Sequence, residues 1–402
     1  MAGGTSGGAR MSLGRVPPGA GCRIDALPDD ALLRVLSHLD AREAVRTCVL
    51  SRRWRHLWRS VPRINASWEE FEGMADTDEE RDALFKGFVN RFLVLRNPVA
   101  LDEFRLRYNL PDDSSDVSAD SADANLWVRH ALQCNARSVE VSIRDRRLWL
   151  DHSVFASECL LTSLELSHVI LGPGFFRSLQ RGCTKLERLI LHDCAIDDIE
   201  IASQTLKVLV IDADCFFTYG GRAFISSPSL IHLDFYGDCK VPSLNNMESL
   251  VTASVSVSSS DIPVDDIHQF LMSLSGVKNL EFYYEGDMLK MDKDMQWCPK
   301  FNNLTILTLG EWCVYADFYG LTVFLQNSPN LVKLSLELEQ GRISDHTSPG
   351  FTGELEERSF TCEHLRIVEI ACSKGDPVRS SLEKFLHENG ISSDRVNIVH
   401  WT

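Results

Sequence analysis

Several residue types able to do chemistry stand at suggestive spacings in this 402-residue chain. Gly4-Thr5-Ser6-Gly7-Gly8 matches the Gly-x-Ser-x-Gly pattern of a nucleophile elbow, where a sharp strand-to-helix turn exposes a serine hydroxyl. Its surroundings are Gly, Ala, Ser and Pro, with no strand before it and no helix after it, so the match reads as chance. His192 and His232 fall in the same kind of segment as Asp212 and Asp234, and imidazole beside carboxylate can transfer protons or bind a metal. They lie on separate stretches of chain, and nothing in their spacing places them within hydrogen-bond reach. A solvated polar face is the expectation. The twelve cysteines include no Cys-x-x-Cys, the nearest pairs being Cys183 with Cys194 and Cys362 with Cys372, so zinc and thioredoxin-type sites lack their ligand spacing. Cys194, Cys215 and Cys313 follow short apolar runs and read as reduced core thiols. There is no P-loop and no His-Glu-x-x-His. The chain is therefore read as non-catalytic, with no catalytic residue, no cofactor and no metal.

The basic and aromatic run over residues 51–59 is a different kind of candidate. Arg beside Trp can grip phosphate and stack on bases, but Trp54 and Trp58 stand four residues apart, a spacing that turns both to one helix face and inward. No nucleic-acid contact is expected.

Composition sets the outer limits. Hydrophobic residues make up 44% and charged residues 24%, ordinary for a globular chain with room for one large domain or two to three modest ones. No run approaches the ~18 apolar residues of a membrane helix, so no membrane partner is expected. Residues 1–22 are low-complexity and should be disordered. They lack the apolar centre of a secretory signal, and Ala2 breaks the N-myristoylation pattern. An intracellular location follows, nucleus or cytoplasm, in which the glycosylation sequons at Asn65 and Asn303 go unused. Net charge is −16 but uneven: residues 1–63 hold eleven Arg, no Lys and five Asp or Glu, a net of +6, which leaves −22 for the rest. Such asymmetry marks separate modules.

Helical signals begin directly after the tail. Pro28 stands at a helix start with Asp29 and Asp30 in the first turn, which suits unpaired N–H groups and a positive helix end. Leu32, Val35, Leu36 and Leu39 form its apolar stripe. Asp40 and Glu43 read as the capping box of a second helix, with Ala44, Val45, Cys48 and Val49 as its apolar stripe, and Ser51 reads as the cap of a third. Three short helices cannot enclose a core of their own, so their stripes should dock on something else. Beyond residue 98 a phrase of the form Leu-x-x-Leu-x-Leu keeps returning, as in Leu161–Leu164–Leu166 and Leu186–Leu189–Leu191. Most successive starts are 20 to 27 residues apart, the range of leucine-rich repeats. Each unit leaves one apolar side open, so stacking makes the core. The polar runs over residues 112–124 and 341–350 read as surface excursions.

These motifs carry a resemblance. Leu27-Pro28-Asp29-Asp30 followed by Leu32, Leu33, Leu36 and Leu39 is similar to the opening of an F-box. The stretch from Val45 through Cys48, Ser51-Arg52-Arg53-Trp54 and Trp58 resembles its second half as found in plant F-box/leucine-rich-repeat proteins. Leu365–Ile370, Gly375 and Leu382–Leu386 resemble the C-terminal element called FBD. The implied fold is α/β: a small three-helix F-box followed by a solenoid with a curved parallel sheet. The implied division is a tail at 1–22, F-box at 23–63, helical linker at 64–98, repeats at 99–360 and FBD-like element at 361–402. The resemblance further implies the substrate-recognition subunit of an SCF-type ubiquitin ligase, with a Skp-type adaptor and through it a cullin as partners. The alternatives are an interaction scaffold that ubiquitinates nothing and a small-molecule sensor. Carried onto this sequence, the adaptor-facing positions are Leu27, Pro28, Leu32, Leu36, Leu39, Val45, Val49 and Trp54; Leu33, Val35 and Leu57 are expected to hold the helices together.

Period-2 alternation places the residues flanking each buried pair on the inner surface of the array. Binding energy concentrates in apolar and aromatic anchors, so Ile190, Val208, Val210, Tyr236 and Tyr283 are expected to hold an unknown target protein. The inner positions read from the sequence carry eight acidic residues against four basic ones, which disfavours an anionic ligand.

Overall fold

Wherever the Leu-x-x-Leu-x-Leu phrase occurs, its closing pair is sealed on one side of a strand. Leu164 and Leu166, Leu189 and Leu191, and Leu334 and Leu336 are all buried. Burying each such side chain stabilises by about 1.5–3 kcal/mol, and one face of every strand contributes two or three. The computed structural model describes residues 23–109, 117–212, 215–218, 222–237, 240–258, 262–284, 298–338 and 363–400. The tail at 1–22 and the insertion at 341–350 lie outside the described residues.

Thirteen strands form one sheet, all parallel and in the order of the sequence, from Arg63–Ser67 through Glu103–Asn109, Ser138–Arg144 and Ser163–Ser167 to Ile367–Cys372 and Val396–His400. The sheet thus opens ahead of residue 98: the segment expected as a helical linker supplies its first strand, in register with the second from Arg63 opposite Glu103 to Ser67 opposite Arg107. The residues expected as an FBD-like element supply the last two strands and the helix between them.

Repeat length selects the return path. The repeats starting at Leu206 and Leu230, and the one before them at Leu186, are 20 to 24 residues long and return through short strands, Glu200–Ala202, Phe224–Ser226 and Ser243–Asn245, which pair into a second small sheet. Four more short strands make a third. Longer repeats have room for a helix. The helices of the molecule are α1 (Asp29–Leu36), α2 (Ala41–Arg46), α3 (Asp78–Leu95), α4 (Val117–Gln133), α5 (Phe175–Gly182), α6 (Val264–Ser273), α7 (Tyr315–Gln326) and α8 (Pro377–Glu388). α4 corrects the surface excursion expected over residues 112–124. Residues 117–124 form its first turns, with Ala124 and Trp127 sealed in the core.

The N-terminal head differs from its sequence reading in two ways. Its third helix is a 3-10 segment, Trp54–Ser60. The capping box at Asp40 does not form, since no side-chain bond caps α2 there. Instead Glu70, beyond the first strand, accepts the backbone N–H groups of Arg42 at 3.3 Å and Glu43 at 3.1 Å. Asp40 is drawn away by the side-chain amide of Asn65.

Candidate interaction surfaces

The head is fixed to the sheet by a chain of aromatic rings. Trp58 packs on Phe92 of α3 with ring centroids 5.2 Å apart, and Phe71, Phe85, Tyr108 and Trp127 continue the contact into the second strand and α4. Such pairs add about 0.5–1.5 kcal/mol each beyond their buried area. Arg96, itself buried, donates to the Val61 carbonyl at 2.8 Å. The head is therefore packed on the first repeats through its Trp face.

That packing decides which of the expected adaptor residues are available. Leu32, Leu36 and Trp54 are buried in the chain's own core, and Leu39 and Val45 are half-buried against it. The assignment of Leu32, Leu36 and Trp54 to a partner face is corrected: they sit on the inward side of α1 and the 3-10 segment, which pack against each other. Leu27, Pro28 and Val49 are exposed as expected, Val49 at 83%. Beside them the structure exposes Ile24, Val35 and Leu50, the last at 64%. Val35 is thereby moved from the internal set to the surface, while Leu33 and Leu57 do pack inward. Arg53 joins the two exposed segments. Its guanidinium donates to the Leu27 carbonyl at 2.5 Å and to Asp29 at 2.6 Å, which brings the Leu27–Pro28 corner against the chain that follows Val49 and Leu50. Trp54 and Trp58 point into the core.

The inner face of the sheet is a grid of three rows. The middle row runs Asn65, Arg105, Glu140, Glu165, Ile190, Val210, Asp234, Ser254, Glu281, Thr308, Ser335, Glu369 and Asn397. Ile190 does not serve as an exposed anchor. It is 5% exposed, closed over between Glu165 and Val210 on the adjoining strands. Val208, Val210, Tyr236 and Tyr283 are half-exposed. Tyr283 is also tethered: its hydroxyl donates to Glu337 at 3.0 Å, two strands away, over Gly310. A Cβ on Gly310 would meet the Tyr283 ring at 3.0 Å, so this glycine makes room for the crossing. Burial and the Glu337 carboxylate push the Tyr283 hydroxyl well above its ordinary range. Two exposed apolar positions on this face are absent from the sequence-derived set. Ile306 and Ile367 stand on either side of Lys333 in the first row, both well exposed. The same period applied to the copies starting at Leu304 and Leu365 identifies them.

Charge on this face is partly self-compensated. Arg105 pairs with Glu103 and Glu140, and Lys333 with Glu369 at 2.7 Å. Mid-array the acids gather around imidazole. The separation expected of His192 and Asp212 is corrected: His192 Nδ1 lies 2.9 Å from Asp212 Oδ2, because the two positions follow one another across adjacent strands, and Nε2 lies 3.9 Å from Glu165. Ser167 stands opposite His192 in the register. Asp234 is pushed above the usual carboxylate range by burial, with Asp212 and Glu281 adding to the shift and His232 and His192 opposing it. Among the described residues no group of His, Cys, Asp or Glu is arranged to hold a metal, and no helix is long and apolar enough to cross a membrane.

A compact helical head, one long parallel sheet and a period of leucine pairs are features that comparison can test. Residues 24–65 match the F-box domain family, and residues 140–373, more than half of the chain, match the family described as At1g61320/AtMIF1, LRR domain. The chain belongs to the plant F-box/leucine-rich-repeat family, of the FBD type. Among similar proteins is MEIOTIC F-BOX protein MOF of Oryza sativa subsp. japonica, 28% identical over 91% of this chain and 83% of that protein. FBD-associated F-box protein At4g13985 of Arabidopsis thaliana is 25% identical over 91% of this chain and 87% of its own length. F-box/FBD/LRR-repeat protein At4g26340 of Arabidopsis thaliana is 29% identical over 78% and 76%. Members of this F-box/leucine-rich-repeat family are in general non-catalytic receptor subunits.

Proposed function

We propose that the chain is the substrate-recognition subunit of an SCF-type ubiquitin ligase. Its head docks a Skp-type adaptor, and through it a cullin, by the exposed apolar group of Leu27, Pro28, Val49 and Leu50 with Ile24 and Val35 beside it. The inner face of the sheet holds a target protein around Val208, Val210 and Tyr236, with Ile306 and Ile367 as further anchors. The observation that carries this reading is the contrast within the head: its core is sealed, yet Val49 and Leu50 stand in solvent. A cluster of uncovered apolar side chains is a docking surface. Holding a target near a ubiquitin-charged enzyme needs no catalytic group on this chain, because proximity alone raises the effective concentration of the reacting lysine.

The test is reconstitution. Partners captured by the full chain should acquire ubiquitin when the chain, adaptor, cullin and RING subunit are all present, and should not when the chain is left out. Tyr236→Ala should weaken capture of the target while adaptor binding stays unchanged. Partners that bind the inner face but are never modified would show a scaffold instead.

A further inference from the structure

Two thiols from neighbouring repeats meet on the outer side of the sheet. Cys159 follows the 3-10 turn His152–Phe155, and Cys183 directly follows α5. Their sulphur atoms are 3.0 Å apart, about 1 Å more than the ~2.05 Å of a disulfide bond. The backbones that carry them are already locked together. Cys159 N–H donates to the Gly182 carbonyl at 2.9 Å, and a Cβ on Gly182 would fall 1.9 Å from the Phe155 carbonyl oxygen. Closing the gap therefore needs side-chain rotation and little else. Both residues are buried, but Cys183 lines a part-open, mainly apolar pocket of about 250 Å³ with Phe176, Leu179, Leu189 and Ile201. That volume is several times the ~30 Å³ a water molecule occupies, so a small neutral molecule can reach Cys183.

Cys194 and Cys215 also bond to each other, which lowers Cys194 and raises Cys215, but their sulphurs face carbonyls as well, Cys194 those of Leu166 and His192 and Cys215 that of Leu191. In the Cys159–Cys183 pair the sulphurs face each other. The hydrogen bond from Cys183 draws the first proton of the pair down to about 7. The same bond, with burial, pushes the second far up. One thiolate beside one thiol is the arrangement that oxidation to a disulfide requires.

We propose that Cys159 and Cys183 form an oxidisable dithiol, which a peroxide entering by the pocket converts to a disulfide between adjacent repeats. The thiolate attacks one peroxide oxygen, the O–O bond breaks, and the departing hydroxide takes up a proton as water. The sulfenic acid so formed is attacked by the second sulphur, its S–O bond breaks, and hydroxide leaves as water with the second thiol's proton. Two thiols are oxidised by two electrons and one peroxide is reduced to two waters. The bridge spans 24 residues and pins the end of α5 to the preceding repeat. A loop of that size raises Tm by about 5 °C.

The experiment uses the reduced full chain, treated with hydrogen peroxide and then blocked with an alkylating reagent. The expected result is a mass loss of about 2 Da, a peptide pair joined through Cys159 and Cys183, a higher Tm, and full reversal by dithiothreitol. Cys159→Ala and Cys183→Ala should each remove the linked pair, while Cys194→Ala keeps it. Because the peptide map is made on the unaltered chain, the result does not depend on any variant folding. If half-exposed Cys48 is oxidised while Cys159 and Cys183 remain fully alkylated, the proposal is overturned. It is equally overturned if the pair stops at sulfinic acid, or if the linked peptides form only in urea.

Discussion

Glu70 caps a helix to which it does not belong. Its carboxylate accepts two N–H groups at the start of α2, which favours the charged form, but burial outweighs them. Burial, with Asp40 and Glu43 adding to it, raises this group to about 7, against an ordinary glutamate near ~4.3. The folded state thus binds the proton more tightly than the unfolded one. The contribution of this carboxyl to stability is full below about 4.3 and is lost as pH rises through about 7. Amide exchange in α2, corrected for intrinsic rate, should therefore quicken between pH 5 and pH 8, and Glu70→Gln should abolish that dependence. An unchanged pH dependence in the variant would remove Glu70 from the account. Legibility at this scale was uneven. The types and spacing of Leu36, Trp54 and Val49 all mark a head that needs a partner. Only the packing of α1 against the 3-10 segment decides that the first two are covered by the chain itself. Ile190 failed for a like reason: alternation gave its side of the sheet correctly, but the breadth of its neighbours set its exposure.

At the scale of elements, the period of the leucine pairs placed the main strands from Ser138 onward, since a two-residue alternation leaves a strand only one way to face its core. The first strand, Arg63–Ser67, was hidden because its five residues include only two apolar inward positions, Ile64 and Ala66. The start of α4 was hidden by its Ser and Asp content, residues that favour turns until tertiary packing overrides them. The helix on the outer side is tightest where α5 ends. Gly182→Ala would drive a methyl group into the Phe155 carbonyl, and backbone cannot rotate away as a side chain can. A loss of about 2–3 kcal/mol is expected, read as a fall in Tm of about 5 °C. An alanine variant as stable as the parent would show that the two repeats are less closely joined than described.

Taken whole, the described chain is built on one long sheet, with two small ones beside it, a basic head at its first edge and an acidic body behind. α2 packs against the first strand, which is the edge of the sheet, so the head is seated where the solenoid starts. What it leaves uncovered is a small apolar surface. Replacing a core residue and replacing a surface residue should then have separable effects. Leu36→Ala empties a buried site and should cost about 2–5 kcal/mol of stability. Val49→Asp with Leu50→Asp changes two solvent-facing side chains and should leave Tm within about 1 °C, in line with surface substitutions. The most direct measurement is the affinity of the purified full chain for a purified Skp-type adaptor, with and without the paired Val49→Asp and Leu50→Asp change. A loss of about a hundredfold or more at unchanged Tm is the expected result; binding equal to that of the parent chain would contradict the docking surface and the function built on it.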